Sequence, residues 1–211
     1  MRSTALVGLF VTSAAASPSG IHDRTGRVVH KRTTETAQLY AYGTNISGLA
    51  IYAGSDNLAY LATAGAAANL TAVTWTIDTS GTDAWTVAAN ATAATANSTN
   101  STSALTSGSA FYIVSDSASA DAFAQAGFVS DAASAPTGAT TTGFVTYGPY
   151  VMVLEDDADG SGQETYVSEF WATTTDTDGL WTLMWNEAGT AQDNSVPLTI
   201  KTTAPVVSEL L

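Results

Sequence analysis

Residues 143–186 read GFVTYGPYVMVLEDDADGSGQETYVSEFWATTTDTDGLWTLMWN. The stretch holds three of the five tryptophans and the densest run of carboxylates, so it should supply both a packing centre and a ligand surface. From Phe144 to Leu154 both parities are apolar or aromatic, with Val145, Tyr147, Val151 and Val153 on one and Phe144, Tyr150, Met152 and Leu154 on the other. That pattern predicts a strand buried on both sides, with Gly148-Pro149 as a bulge or kink inside it. Two further strands, Tyr166 to Thr173 and Leu180 to Trp185, are joined by a polar run ending in Asp178-Gly179. Glycine takes a positive φ without steric cost, so this Asp-Gly predicts a hairpin turn and three consecutive antiparallel strands in all.

Outward from this stretch the chain keeps a strand rhythm. Gln38 to Tyr42, Leu49 to Tyr52 and Leu58 to Ala62 are short apolar runs set apart by Gly43-Thr44-Asn45, Gly48 and Gly54-Ser55-Asp56-Asn57. Val73, Trp75 and Ile77 alternate with Thr74, Thr76 and Asp78, which predicts one face in the core and one in water. Ala84 to Val87 reads as the hairpin partner of that strand, Phe111 to Val114 as a buried strand, and Val196 to Thr202 as the last one. Ser119 to Gly127 places Ala120, Phe123, Ala124 and Gly127 at helical spacing behind a serine cap, predicting one short helix. Turn signals every eight to twelve residues predict an all-β fold, an antiparallel two-sheet β-sandwich of jelly-roll or lectin-like type with at most one short helix.

The N-terminus predicts export. Residues 1–16 combine Arg2, an apolar run from Ala5 to Val11 and Ala14-Ala15-Ala16, the order of a secretory signal peptide. The run is far short of the roughly 20 residues that a membrane-crossing helix needs. Residues 17–32 (SPSGIHDRTGRVVHKR) end in the dibasic pair Lys31-Arg32 and read as a pro-segment, leaving 33–211 as a single domain. The closing residues Ala204 to Leu211 are too short and too polar for a GPI signal, so the protein is expected to be secreted, free or held in the cell wall.

Cleavage after Arg32 would change the chemistry of the chain. The sequence has six basic and nineteen acidic residues; the cut removes five of the bases and Asp23, leaving Lys201 alone against eighteen carboxylates, a formal charge of −17. Such a surface repels nucleic acid and anionic membrane, so neither is expected as a partner. Both histidines, His22 and His30, leave as well, and there is no cysteine. A domain without either residue has no Ser-His-Asp triad, thiol nucleophile, structural zinc site, histidine-ligated copper or disulfide. Its stability must come from its core; a domain of about 180 residues buries close to 70% of its unfolded surface.

Ala88 to Ser109 is alanine, threonine, serine and asparagine with Leu105 as its one bulky residue, and reads as a long exposed loop. It carries N-glycosylation sequons at Asn90, Asn97 and Asn100, and two more lie at Asn45 and Asn69. Behind a signal peptide this cluster predicts a glycoprotein.

Two constellations are candidates for function. In the loop Glu155 to Glu164, Asp157, Asp159 and Ser161 alternate before Gly162 as in the first half of a calcium loop, with Glu164 as a further oxygen ligand. The twelfth position from Asp157 is Ser168 rather than glutamate, so an acidic solvated hairpin loop is the competing reading. Calcium is the only ion the pattern suggests, and no cofactor is required. The second constellation is aromatic: Tyr147, Tyr150, Trp171, Trp181 and Trp185. Exposed rings beside carboxylates and amides stack on sugars, whereas buried ones are simply core. Glu155, Glu164, Glu169 and Glu187 leave a carboxylate-pair glycoside hydrolase open, although their spacing singles out no acid and base.

The chain resembles a group of secreted proteins of filamentous fungi, through the Lys31-Arg32 junction, YAYGTNISGLAIYAGSDNLAYLA (residues 40–62) and FWATTTDTDGLWTLMWN (residues 170–186) followed by VPLTIKTTAP. The resemblance implies an extracellular or cell-wall role and carries over no catalytic motif. The expectation is a non-catalytic secreted glycoprotein that contacts cell-wall or host polysaccharide; a structural surface protein or effector without sugar binding is the alternative, and the glycoside hydrolase comes third. Oligomeric state is not legible.

Overall fold

The computed structural model describes residues 33–90, 105–114, 123–156 and 164–206, all within one compact unit, Lys31–Leu211. The signal and pro-segment, the sequons at Asn97 and Asn100, and Asp157, Asp159 and Ser161 lie outside the described residues. The chain is all-β. Its strands are β1 (Thr34–Ala37), β2 (Tyr40–Gly43), β3 (Ile46–Ala53), β4 (Ala59–Ala62), β5 (Thr71–Asp78), β6 (Thr86–Ala89), β7 (Ser109–Val114) and β8 (Phe123–Gln125). The second half supplies β9 (Gly127–Val129), β10 (Ala139–Thr140), β11 (Phe144–Tyr147), β12 (Tyr150–Asp156), β13 (Glu164–Val167), β14 (Phe170–Thr174), β15 (Leu180–Asn186) and β16 (Ser195–Lys201).

Six of these strands close on themselves. The order β2, β3, β4, β15, β14, β16 returns to β2, and every step is antiparallel. The expected two-sheet sandwich therefore gives way to a barrel with outer strands. The physical reason is visible in β16: Ser195 to Pro197 pair with β14, while Leu198 to Lys201 pair with β2. A strand that changes partners along its length staggers the register, and stagger is what lets a sheet curl shut and lose its edges. Outside the ring, β5 joins the end of β3 through Tyr52↔Ala72 and Ala53↔Thr71 and starts a second layer with β1, β6, β7, β9 and β10. The ribbon β11–β12–β13 hangs from β16 by the pair Tyr150↔Lys201.

The core is one continuous cluster that contains Trp75, Trp85, Phe111, Phe128, Phe144, Phe170 and Trp185. Trp75 meets Phe111 edge-on at 5.0 Å, Phe111 meets Phe144 at 5.1 Å, and Phe170 meets Trp185 edge-on at 5.0 Å. Rings at these separations add about 0.5–1.5 kcal/mol per pair beyond the area they bury. With no cysteine in the chain, packing of this kind takes the place of cross-links.

Three local expectations are corrected. Gly148-Pro149 is not a kink within one strand but a two-residue hairpin loop, since Tyr147 and Tyr150 are direct partners and Gly148 has φ 59°. Glycine first is the order such a loop needs when its twist is to match that of the strands. The faces change accordingly: Phe144, Val151 and Val153 are buried, while Tyr147 and Tyr150 point out. Where a helix was expected, Phe123–Gln125 is strand, because Met184, Trp185 and Asn186 of β15 supply ladder partners to Gln125, Ala124 and Phe123, and Gly127 opens β9 against β7. Asp78, expected in water, is buried; its carboxylate accepts from the Ser80 hydroxyl and the Asp83 amide, and its carbonyl accepts from Trp85 Nε1 at 2.8 Å. The aspartate is thus spent on closing the turn between β5 and β6.

Candidate functional site

The outward face of the β11–β12–β13 ribbon and its neighbours β16 and β2 is rich in tyrosine. Directly opposed residues in an antiparallel pair share a face, so the partners Tyr147↔Tyr150, Tyr150↔Lys201, Lys201↔Tyr40 and Leu154↔Tyr166 lie on one surface. Tyr147 is 70% exposed, Tyr166 43% and Tyr150 41%. The Tyr147 and Tyr166 rings stand 6.2 Å apart with their planes tilted by 54°.

Lys201 sits at the centre of this face. Its Nζ lies 4.9 Å from the Tyr42 ring centroid and 5.1 Å from that of Tyr150. An ammonium within about 6 Å of a ring face is held by the ring's quadrupole. Tyr42 is itself fixed, its hydroxyl donating to the Thr203 carbonyl at 2.9 Å. Beside Lys201 opens a groove of ≈ 700 Å³ whose lining includes Tyr42, Ser47, Pro149, Thr203 and Pro205.

The tryptophans are elsewhere. Trp185 is fully buried, and its Nε1 donates to Glu187 Oε2 at 2.7 Å. Trp181 is half-buried against the core on the same inward face of β15 as Leu183 and Trp185. Trp171 is only 8% exposed and packs edge-on against Phe123 at 6.5 Å. Of the five aromatic candidates, the structure brings Tyr147 and Tyr150 together in the open and keeps the three tryptophans apart from them in packing positions. Tyr42, Tyr166 and Lys201 were missed, although the last was in plain view as the one basic residue after Arg32.

Of the four calcium candidates, Asp157, Asp159, Ser161 and Glu164, the last is among the described residues: it is exposed at the start of β13, opposite Asp156. Among the described residues no three acidic or histidine side chains are grouped to hold a metal ion. Three glutamates do share one neighbourhood. Partial burial pushes the Glu155 carboxyl up from its ordinary 4.5, and the negative charges of Glu187 and Glu169 push in the same direction. The fold gathers them because Asn186 N donates to the Glu169 carbonyl at 2.9 Å, setting the residue before β14 beside the end of β15.

Neither a family model, nor a curated protein, nor a solved structure matches this chain.

Proposed function

We propose that the chain is a non-catalytic secreted glycoprotein that contacts cell-wall or host polysaccharide through the tyrosine face. The observation that carries this reading is the set of three exposed tyrosines, Tyr147, Tyr150 and Tyr166, on one sheet surface beside a groove. Rings of this size stay exposed at a cost in apolar surface, and stacking on the apolar face of a sugar removes that cost while the hydroxyls remain free to bond the glycan. Asn45, in a turn, and Asn69, at the end of a short 3-10 helix, are both exposed, which agrees with glycosylation and export. The test is binding of the purified protein to immobilised polysaccharides, with Tyr147→Ala and Tyr166→Ala as the variants that should lose it.

A second reading, a carboxylate-pair glycoside hydrolase, is favoured by one feature. A glutamate whose carboxyl is raised by burial and by two like charges, as Glu155 is, suits the role of general acid. Release of reducing ends from a polysaccharide, abolished in Glu155→Gln, would support it; binding without turnover would leave the first reading in place.

A further inference from the structure

We infer that Lys201 is an anion-recognition element of this face, and that the glycan it takes carries isolated uronic acid units among neutral sugars. The inference rests on the polysaccharide reading above and names its substrate class. Lys201 is the sole basic side chain among the described residues, and no carboxylate among them forms an ion pair with it. In a chain so rich in acids, that isolation is a marked departure. Its two neighbouring rings hold the ammonium through their faces, and a ring face leaves N–H donors of a lysine available to an oxygen ligand.

The groove beside it combines ring and proline surface, from Tyr42, Pro149 and Pro205, with the hydroxyls of Ser47 and Thr203. Such a lining accepts a sugar ring edge, and a carboxylate on that ring would meet the ammonium in a charge-assisted hydrogen bond. The surrounding charge sets the spacing. The domain from Thr33 onward carries a formal −17, so a polymer with a carboxylate on every ring is repelled along its length. Screening over about 8 Å at physiological salt leaves a single contact with Lys201 intact while weakening the repulsion from more distant acids. One carboxylate per several neutral sugars satisfies both conditions.

The experiment compares the affinity of the protein for glucuronoxylan, for the same polymer with its carboxyl groups reduced to alcohols, and for polygalacturonate. Glucuronoxylan should bind best, and carboxyl reduction should cost about tenfold, the worth of one hydrogen bond to a charged group. Lys201→Gln should lose about that factor more on glucuronoxylan than on the reduced polymer, and Lys201→Arg should retain the preference for the native polymer. Equal binding of native and reduced polymer by the unaltered protein would overturn the uronate assignment, while a loss of both in Tyr147→Ala would keep the polysaccharide reading. Tightest binding to polygalacturonate would overturn the spacing argument, and binding to no polymer would overturn both. Because the native-against-reduced comparison uses the unaltered protein, it decides the matter even if a lysine variant fails to fold.

Discussion

Lys201 and Tyr150 are direct partners across β16 and β12, and the lysine ammonium stands 5.1 Å from the Tyr150 ring centroid and 4.9 Å from that of Tyr42. This is the join between the barrel and the β11–β12–β13 ribbon. Cation–π contacts at exposed sites contribute about 0.5–1 kcal/mol each, so Lys201→Gln should lower unfolding free energy by about 1–2 kcal/mol. Urea unfolding of the two proteins checks it, and an unchanged midpoint would mean that the rings do not hold the lysine.

Tyr147 and Tyr166 should behave as surface residues in folding and as contact residues in binding. Tyr147→Ala should alter stability by no more than about 0.5 kcal/mol, as exposed positions usually do, yet weaken polysaccharide binding about three- to tenfold through loss of one stacking ring. The contrast is Trp185→Ala, which removes a fully buried ring and should cost about 3–5 kcal/mol. Thermal unfolding and a binding isotherm on each variant separate the two behaviours.

Glu155 gives a pH dependence with a definite sign. Its carboxyl is raised in the folded protein by burial and by Glu187 and Glu169, so the folded state holds this proton more tightly than the unfolded state. Its contribution to stability is therefore present below the ordinary value of 4.5 and is lost as pH rises through the raised folded value. Glu155→Gln should flatten this slope and be more stable than the parent at neutral pH. Unfolding free energies measured from about pH 4 to about pH 7.5, from the ordinary glutamate range upward, would show the parent falling relative to the variant. A parallel course for the two proteins would contradict the assignment.

Two glycines at positive φ should differ in their tolerance of alanine. At Gly148, φ 59°, an added Cβ would meet open space, so only the conformational penalty of about 1–2 kcal/mol applies. At Gly81, φ 74°, the same atom would come within 2.9 Å of Leu154 Cδ1 and 3.0 Å of Val145 Cγ1. The Gly81 carbonyl also accepts from Gly143 N at 2.8 Å, and the Gly143 carbonyl from Leu154 N, which ties the β5–β6 turn to the ribbon. Gly81→Ala should therefore cost clearly more than Gly148→Ala in parallel denaturant titrations.

Much of the strand content was legible because alternation is a local property. Val73, Trp75 and Ile77 announce their inward face, and Asp178-Gly179 announces its turn, with Gly179 at φ 74°. Barrel closure was not legible, since it depends on β16 pairing with both β14 and β2, a long-range stagger that no short pattern encodes. The hairpin at Gly148-Pro149 was hidden because apolar residues fill both parities around it, so the reversal leaves no break in the pattern. The same misreading put Tyr147 and Tyr150 on opposite faces, when the turn sets them side by side. Ring identity alone gives no exposure: tryptophan and tyrosine looked equivalent in the sequence, and burial separates them.

The most direct test of the account is retention of the protein on chitin, β-glucan, cellulose and glucuronoxylan, compared with a Tyr147→Ala/Tyr166→Ala double variant and with Trp181→Ala. The tyrosine-face account predicts retention on at least one polymer, lost in the folded double variant and kept by whatever fraction of Trp181→Ala remains folded. Retention that survives loss of both tyrosines, or no retention on any polymer, would contradict it and leave the chain as a surface or structural protein without a sugar site.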